Sequence, residues 1–458
     1  MKNRISEKEI SSIYKKALKS RGILKKDDTA LIFYDLDFLE ERLKELKENF
    51  PEDTLHAIAI KANPLQAILA KISGAGFGLE AATLPELILA LEGGVPEERI
   101  VFDSPCKTME EIEFALQNDI HINADSFDEI ERIASLNKDI DSNSPVGLRI
   151  NPQVGTGAIK STSVAGSISK FGVPVSPNRE KIINMFLRYP WLRGLHLHIG
   201  SQGMPLDLLT RGVKIVFEMG EEINIALEKA GINRKLEFFD IGGGLAVSYR
   251  FGKIPVGMAE YRKSLEKSVP GLFSGDFRLI TEFGRYIHTN TAWAASKVEY
   301  VKREKDYNII MSHLGADFML RECYNPQDWQ HEITVLDKNG NLKNNSPKEK
   351  YFIAGPLCFA GDVIGHDIEL PRVDEGDVII IHDVGAYTLS MWSRYNSRQV
   401  PQVLGYSKDI YGFEILKKRE VLHDTIGFWM EKHSNPKKTD STQKITASSS
   451  FIRQIPPI

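Results

Sequence analysis

The chain has 458 residues, 42% of them hydrophobic and 26% charged, with a net charge of −4. That length accommodates two or three globular domains, and so small a charge supplies no electrostatic footprint for nucleic acid or a membrane surface. No apolar run approaches the ~20 residues of a bilayer-spanning helix. Three widely spaced cysteines, Cys106, Cys323 and Cys358, exclude a disulfide framework and point to a reducing, cytoplasmic compartment.

Residues 1–30 form a charged, helical-looking extension without an apolar signal core, and Glu7 and Glu9 argue against a transit peptide. Leu31 to Asp35 reads as a strand, with 31–36 expected to join a later β domain, and Asp37 to Glu48 as a helix entering the next unit. From residue 56, short apolar runs alternate with amphipathic stretches. The runs are His56 to Lys61, Phe77 to Ala81, Ile100 to Asp103, Ile120 to Asp125, Val146 to Asn151, Leu195 to Gly200, Phe238 to Ile241 and Leu279 to Phe283. Eight such units predict an α/β fold, a (β/α)8 TIM barrel over 31–290, with a doubly wound open sheet as the competing arrangement because spacing alone does not close a ring.

After about residue 290 strand-like runs follow one another without long helices: Lys297 to Val301, Asn308 to Ser312, Ile333 to Leu336, Val378 to His382 and Gly412 to Leu416, with Asn339-Gly340 as a hairpin signal. This predicts a mainly β domain, barrel-like or sandwich-like, over 291–430. Gly155 to Gly172 is rich in Gly and Ser, as mobile active-site loops often are. The Ser-, Thr-, Lys- and Pro-rich stretch from His433 to Ile458 is expected to be a disordered tail, 431–458.

In a barrel, chemistry sits at the carboxyl ends of the strands, and the residues there are unusual. Lys61 ends an apolar run before Asn63-Pro64. At the rim of a core, desolvation lowers an amine's pKa, so this lysine could be a Schiff-base former; the alternative is a strand-end lysine that snorkels to water. Gly242-Gly243-Gly244 can bring backbone N–H groups close to an anion, although a tight βα turn explains it equally well. Ser201 and Gly284-Arg285 end neighbouring strands, so three turns converge on one phosphate-sized anion. His196 and His198 lie two apart on a strand and would face one side. No third ligand stands at a persuasive spacing, which disfavours a metal and favours an imidazole stacked on a flat cofactor, or a hydrogen-bonded core histidine. Glu282 closes the eighth run, where a carboxylate can pair with a cationic ring nitrogen. Pyridoxal 5′-phosphate offers an aldehyde for Lys61, a phosphate for the turns and a pyridinium for Glu282.

The ordered set Ile60-Lys61-Ala62-Asn63, His198-Ile199-Gly200-Ser201-Gln202, Gly242 to Gly244, Glu282-Phe283-Gly284-Arg285, Cys358-Phe359-Ala360-Gly361-Asp362 and Gly385-Ala386-Tyr387 resembles the type III pyridoxal-phosphate decarboxylases with the alanine racemase-like fold. These are the ornithine, diaminopimelate and arginine decarboxylases, and the form of the histidine motif with Tyr395-Asn396-Ser397-Arg398 looks most like diaminopimelate decarboxylase. The resemblance covers roughly residues 30 to 420. It implies that Lys61 carries the cofactor, His198 stacks on its ring and Glu282 holds the ring nitrogen. Ser201, Gly242, Gly243, Gly244, Gly284, Arg285 and Tyr387 would bind phosphate. It also implies a head-to-tail homodimer in which Cys358, the proton donor, and Asp362 reach the neighbouring site.

Departures bear on the substrate. Phe359 stands where relatives carry an acid, and cannot pair with a distal ammonium. The family's Arg-Pro-x-x-Tyr, which reads a distal carboxylate, is Arg321-Glu322-Cys323-Tyr324 here, one residue shorter and without proline. Arg321 could still grip a carboxylate, or be an ordinary ion pair; Glu322 or Asp317 could hold an amine instead. The usual second-strand Asp beside the lysine is Glu80. Decarboxylation of an amino acid is the resulting expectation, against a racemase on the same fold or a non-catalytic binding homologue.

Overall fold

The structure, a computed structural model, describes residues 3–25, 28–140, 142–344, 347–409 and 411–430; the tail expected over 431–458 lies outside them. β1 (Ala30–Asp35) precedes β2 (Leu55–Ala59), β3 (Gly78–Ala81), β4 (Ile100–Asp103), β5 (His121–Ala124) and β6 (Val146–Asn151). β7 (Val173–Pro174) is a two-residue addition beside β6, followed by β8 (Leu192–His196), β9 (Phe238–Asp240) and β10 (Arg278–Thr281). β2 to β6 and β8 to β10 pair only in parallel. Because β5 also pairs with β6 and β10 with β2, the eight strands close into a ring. Closure decides the matter that spacing left open.

Every residue of β2 to β6 is buried, which is why these strands read as continuous apolar runs rather than alternating ones. The helices that follow three of them start on side-chain caps. Thr83, Thr108 and Ser126 accept from the N–H groups of Glu86, Glu111 and Glu129, so the βα turns stay short. Inside the ring, Leu55, Ala57, Val101, Phe238 and Ile280 form an apolar floor. Gly147 and Gly194 make room for Phe238: an added Cβ at Gly147 would stand 3.0 Å from its ring. Above the floor lies a polar layer, in which Asn123 bonds His121 at 3.0 Å and Asp240 at 3.1 Å.

The second sheet contains β11 (Ala292–Arg303), β12 (Asn308–Ser312), β13 (Ile333–Leu336), β14 (Lys348–Ala354), β15 (Val363–Pro371), β16 (Val378–Ile381), β17 (Gln402–Tyr406) and β18 (Glu414–Lys417). Its main path runs β15-β14-β12-β11-β1-β17-β18, with β16 on β11 and β13 on β16. β1 is therefore central to this sheet, antiparallel to β11 and parallel to β17. The first helix, Glu7–Lys19, lays Ile10, Tyr14 and Ala17 on a cluster that includes Phe33 and Trp293, whose rings stack at 4.1 Å. β14, β15 and β17 are absent from the runs read in the sequence. β14 and β15 are partly exposed and interrupt their apolar residues with Lys, Glu, His and Asp, and β17 opens on Gln402 and carries Gly405 among its apolar residues. At Asn339-Gly340 the chain does turn: Asp337 accepts from the N–H groups of Asn339 and Asn341, and Leu336 bridges Leu342.

Candidate active site

The residues of interest lie just beyond the strands, not on them. β2 ends at Ala59, and Lys61 sits in a tight turn, Ile60–Ala62; β8 ends at His196 and β10 at Thr281. The apolar runs overshoot because the chain leaves the ladder while its apolar residues stay buried: Ile60, Ile199 and Phe283 are all in the core. One cleft at this end of the ring is lined by Lys61, His198, Ser201, Gly244, Glu282, Gly284, Arg285 and Tyr387.

Lys61 Nζ lies 2.6 Å from each oxygen of Glu80, a side chain with no exposed surface opposite a lysine that is 41% exposed. Burial works to lower the lysine pKa, but Glu80, with Glu282, Tyr387 and Asp103, more than reverses it and holds the ammonium above its ordinary range. The depressed amine expected from a rim position is thus corrected: without a ligand, Lys61 is an ion-paired cation. Burial works to raise the Glu80 carboxyl, and the Lys61 ammonium is the first group opposing it.

Glu282 heads a chain of buried charges. His196 Nε2 is 3.4 Å from Glu282 and its Nδ1 is 3.6 Å from Asp103, while Arg149 bonds Asp103 at 2.8 Å. Burial opposes charge on His196, yet Asp103 and Glu282 raise it to about 9, so it is an imidazolium at neutral pH. Burial likewise opposes charge on Glu282, and His196 outweighs it, holding the carboxylate below its usual range. Asp103, His196 and Glu282 bring ligand atoms within 4.8 Å of one another, so the structure sets two carboxylates beside His196 that spacing along the chain did not show. His198 takes no part in this trio, because strand alternation ends at His196. Burial, then Arg149, lowers His198 to about 3. Its neutral ring accepts from the Gly243 N–H through Nδ1 at 3.2 Å, which leaves the ring proton on Nε2.

The glycine turn is packed between strands. Gly242 and Gly244 have φ of 64° and 107°, a region that favours glycine, and an added Cβ on Gly243 would meet the Glu282 carbonyl oxygen at 2.5 Å. Arg285 donates from Nε to Ser201 Oγ at 2.9 Å and from Nη1 to Tyr249 at 2.5 Å. Its Nη2 is buried and unpartnered, as is Glu282 Oε1. Tyr387, at φ 58°, is anchored by its N–H to the Ala62 carbonyl, and its ring faces both Arg285 and Arg321, each 4.5 Å away.

Other sequence-predicted residues group apart from the Lys61 cleft. Phe359 stacks on Tyr324 at 5.6 Å and meets Tyr395 edge-on at 6.3 Å. Cys358 is exposed; its N–H bonds Asn396 and its carbonyl accepts from Tyr395. Asp362 is buried, and its two oxygens accept from the Ala316 and Leu357 N–H groups at 2.6 Å each. The acids considered as amine holders are committed elsewhere: Glu322 pairs with His331 at 2.7 Å and Asp317 with Arg398 at 3.1 Å. Arg321, by contrast, has a buried Nη1 with no partner and no carboxylate in an ion pair with it among the described residues. The sequence reading did not single out Asp103, Arg149 or Tyr249. A charge inside the apolar run of β6 was the available signal for Arg149, and a carboxylate closing the run Ile100 to Asp103 was that for Asp103; nothing local marks Tyr249.

A barrel-end lysine, a carboxylate kept ionised with a free oxygen, a neutral imidazole and an arginine with a free N–H beside a glycine turn define the cleft of a pyridoxal-phosphate enzyme of the barrel type. The orphaned Glu282 and Arg285 atoms and the tight glycine turn fit a group with a ring nitrogen and a phosphate. The family model of the pyridoxal-dependent decarboxylases, pyridoxal binding domain, matches residues 36–289. A diaminopimelate decarboxylase of Helicobacter pylori (strain J99) is 30% identical over 407 residues, 86% of this chain and 94% of the relative. That of Methanocaldococcus jannaschii is 31% identical over 401 residues, 84% and 86% of the two chains. Crystal structures of the Helicobacter pylori and Methanocaldococcus jannaschii diaminopimelate decarboxylases, each with L-lysine, superpose with TM-scores of 0.77 and 0.78. They are 28% and 29% identical and cover 88% of this chain, and 97% and 92% of their own. The chain belongs to the pyridoxal-dependent decarboxylases: it is an amino-acid carboxy-lyase with pyridoxal 5′-phosphate as cofactor, a finding that favours neither the racemase nor the non-catalytic reading.

Proposed function

We propose that this enzyme removes the α-carboxylate of an amino acid that carries a second, distal carboxylate, diaminopimelate being the substrate named for its relatives. The observation that carries this reading is the charge balance around Arg321: a buried guanidinium N–H without a partner, beside Arg285, while Glu322, Asp317 and Asp362 are all bonded elsewhere. A planar guanidinium pairs with a carboxylate through two parallel N–H groups. Burial, with repulsion from Arg285, lowers the Arg321 pKa, and an arriving anion would relieve that.

Lys61 would hold the cofactor, Glu282 its ring nitrogen and His198 one ring face. Ser201, Gly242 to Gly244, Gly284, Arg285 and Tyr387 would hold its phosphate. When bound, the cofactor supplies the electron sink for the pair left behind by carbon dioxide. Glu282 serves that chemistry by staying anionic, which His196 secures. Glu80 keeps Lys61 charged until a ligand displaces the pair.

Proton return would fall to the partner subunit's Cys358 in a head-to-tail homodimer. Asp362 would act through the Leu357-Cys358-Phe359 turn that it anchors rather than by touching substrate, and Phe359 and Tyr324 would form an aromatic wall beside Cys358. We take the enzyme to be cytoplasmic. Its three unpaired cysteines support a reducing compartment, and none of the helices among the described residues is long and apolar enough to cross a membrane.

The test is a carbon dioxide release screen with added pyridoxal phosphate over L-, D- and meso-amino acids with carboxylate, ammonium or neutral far ends. Turnover of acids with a distal carboxylate, reduced in Arg321→Ala mainly through KM, is expected. Preference for a monocarboxylate diamine precursor such as ornithine would refute the substrate class.

A further inference from the structure

Arg4 lies far from the cleft in sequence and outside the region matched to the pyridoxal binding domain. Its side chain is nonetheless only 15% exposed and joins two segments that converge on Arg285. Arg4 Nη2 donates to the Ser248 carbonyl at 3.0 Å, and Nε donates to Asp383 at 3.2 Å, with a second contact of 2.5 Å to the same carboxylate. The guanidinium also lies over the ring of Phe251 at 4.8 Å. Asn290 completes the junction, donating to the same Ser248 carbonyl at 3.2 Å and to Asp383 at 2.7 Å.

Each segment carries a partner of Arg285. Tyr249, next to Ser248, accepts from Arg285 Nη1. Tyr387, four residues beyond Asp383, faces the Arg285 guanidinium. Asp383 is 2% exposed and has φ of 60°, and Tyr387 has φ of 58°; such backbone persists only where surrounding contacts hold it. Burial works to keep the Asp383 carboxyl protonated, and Arg4 is the first group opposing that. Removing Arg4 takes the nearest cation from a buried carboxyl that Asn290 alone then holds by a hydrogen bond, and so loosens the segment leading to Tyr387. The loop through Ser248 loses one of its pins as well; Gln202, bonded to Val247 at both ends of its amide, is another.

We infer that Arg4 is a positioning residue for the phosphate end of the cofactor site, acting through Tyr249 and Tyr387 on Arg285. With Nε spent on Ser201 and Nη1 on Tyr249, Nη2 is the guanidinium nitrogen left unpartnered in a residue that lines the cleft. Loosening the Tyr249 loop frees that orientation. A ligand with a phosphate would sense this most, because Glu282, although it leaves the same strand as Arg285, is held by His196, and Lys61 is held by Glu80. The inference rests on the reading of Arg285 as a phosphate ligand.

The experiment uses full-length apoprotein titrated separately with pyridoxal 5′-phosphate and with pyridoxal, following absorbance and intrinsic fluorescence. In Arg4→Ala the dissociation constant for the phosphorylated ligand is expected to rise about tenfold, and that for pyridoxal to stay within twofold. Arg4→Lys, which keeps a charge beside Asp383 but cannot span to Ser248 as a fork, should fall between. Tyr249→Phe should reproduce the selective loss, and adding Arg4→Ala to it should cost less than Arg4→Ala alone. Equal weakening of both ligands by Arg4→Ala and Arg4→Lys, or unchanged affinity for the phosphorylated ligand, overturns the inference. Wild-type protein that does not distinguish the two ligands would instead overturn the phosphate assignment of Arg285.

Discussion

Replacing Gly243 by alanine puts a Cβ where the backbone of Glu282 already stands. The added carbon would lie 2.5 Å from the Glu282 carbonyl oxygen, 3.0 Å from its carbon and 3.3 Å from Phe283 Cα, against an ordinary contact of 3.4 Å or more. The gap must open by about 1 Å, and no flexible side chain is there to yield. Gly243, unlike Gly242 and Gly244, is not at positive φ, so alanine brings no backbone penalty and the effect is purely steric. Overpacking of this kind costs about 1–3 kcal/mol. Glu282 N–H is tied to the Gly242 carbonyl at 2.8 Å, so turn and strand cannot part without disturbing both the glycine turn and the Glu282 carboxylate. If half of that strain is felt only in the bound state, about 0.5–1.5 kcal/mol, cofactor affinity drops by about two- to twelvefold, since ~1.4 kcal/mol is a factor of ten. The assay is a pyridoxal phosphate titration of Gly243→Ala beside thermal melts. The control is Gly427→Ala, in the helix Leu422–Trp429, where a Cβ meets nothing within 4 Å. That change should stabilise by about 0.5–1 kcal/mol and leave the cofactor alone. Wild-type affinity and melting temperature in Gly243→Ala would refute the packing described for the turn.

Three further outcomes are expected. His196 is raised above its unfolded range to about 9, so its stabilising charge is fully present below about pH 6.5 and is lost as pH climbs through about 9; thermal melts of His196→Asn should lack that alkaline loss, and an identical pH profile would argue against the imidazolium. In Glu80→Gln the Lys61 amine loses its main counter-charge, so the rate of cofactor attachment, followed by the borohydride-sensitive absorbance band, should rise at lower pH than in the wild type; an unshifted profile would mean that the pair does not hold the lysine. Lys61→Ala should abolish turnover and Cys358→Ala should bind cofactor but form little product. Mixing the two under conditions of subunit exchange should recover at most about a quarter of wild-type activity if the site is shared, and no recovery with exchange demonstrated would rule sharing out.

Much of this enzyme is legible in a single sequence because a barrel repeats a simple rule. Strands buried on both faces are apolar throughout, so each apolar run marks a strand and a polar residue just past it marks the catalytic rim. That rule locates Lys61, His198, Ser201, Glu282 and Arg285, and their order, together with the Gly242 to Gly244 turn, points to pyridoxal phosphate. It does not reach β14 and β15, whose partly exposed faces mix charge with apolar residues.

What tertiary structure alone decides is which charges meet. Lys61 and Glu80 are 19 residues apart, His196 and Glu282 lie on different strands, and Arg4 finds Asp383 across 379 positions. The strength and even the sign of a pKa shift depend on those distances and on burial, neither of which is local. Hence a lysine that the sequence alone makes a candidate for a depressed pKa is an ion-paired ammonium. Glu322, Asp317 and Asp362, available on paper to an amine, are already bonded, and the unpartnered charge is on Arg321.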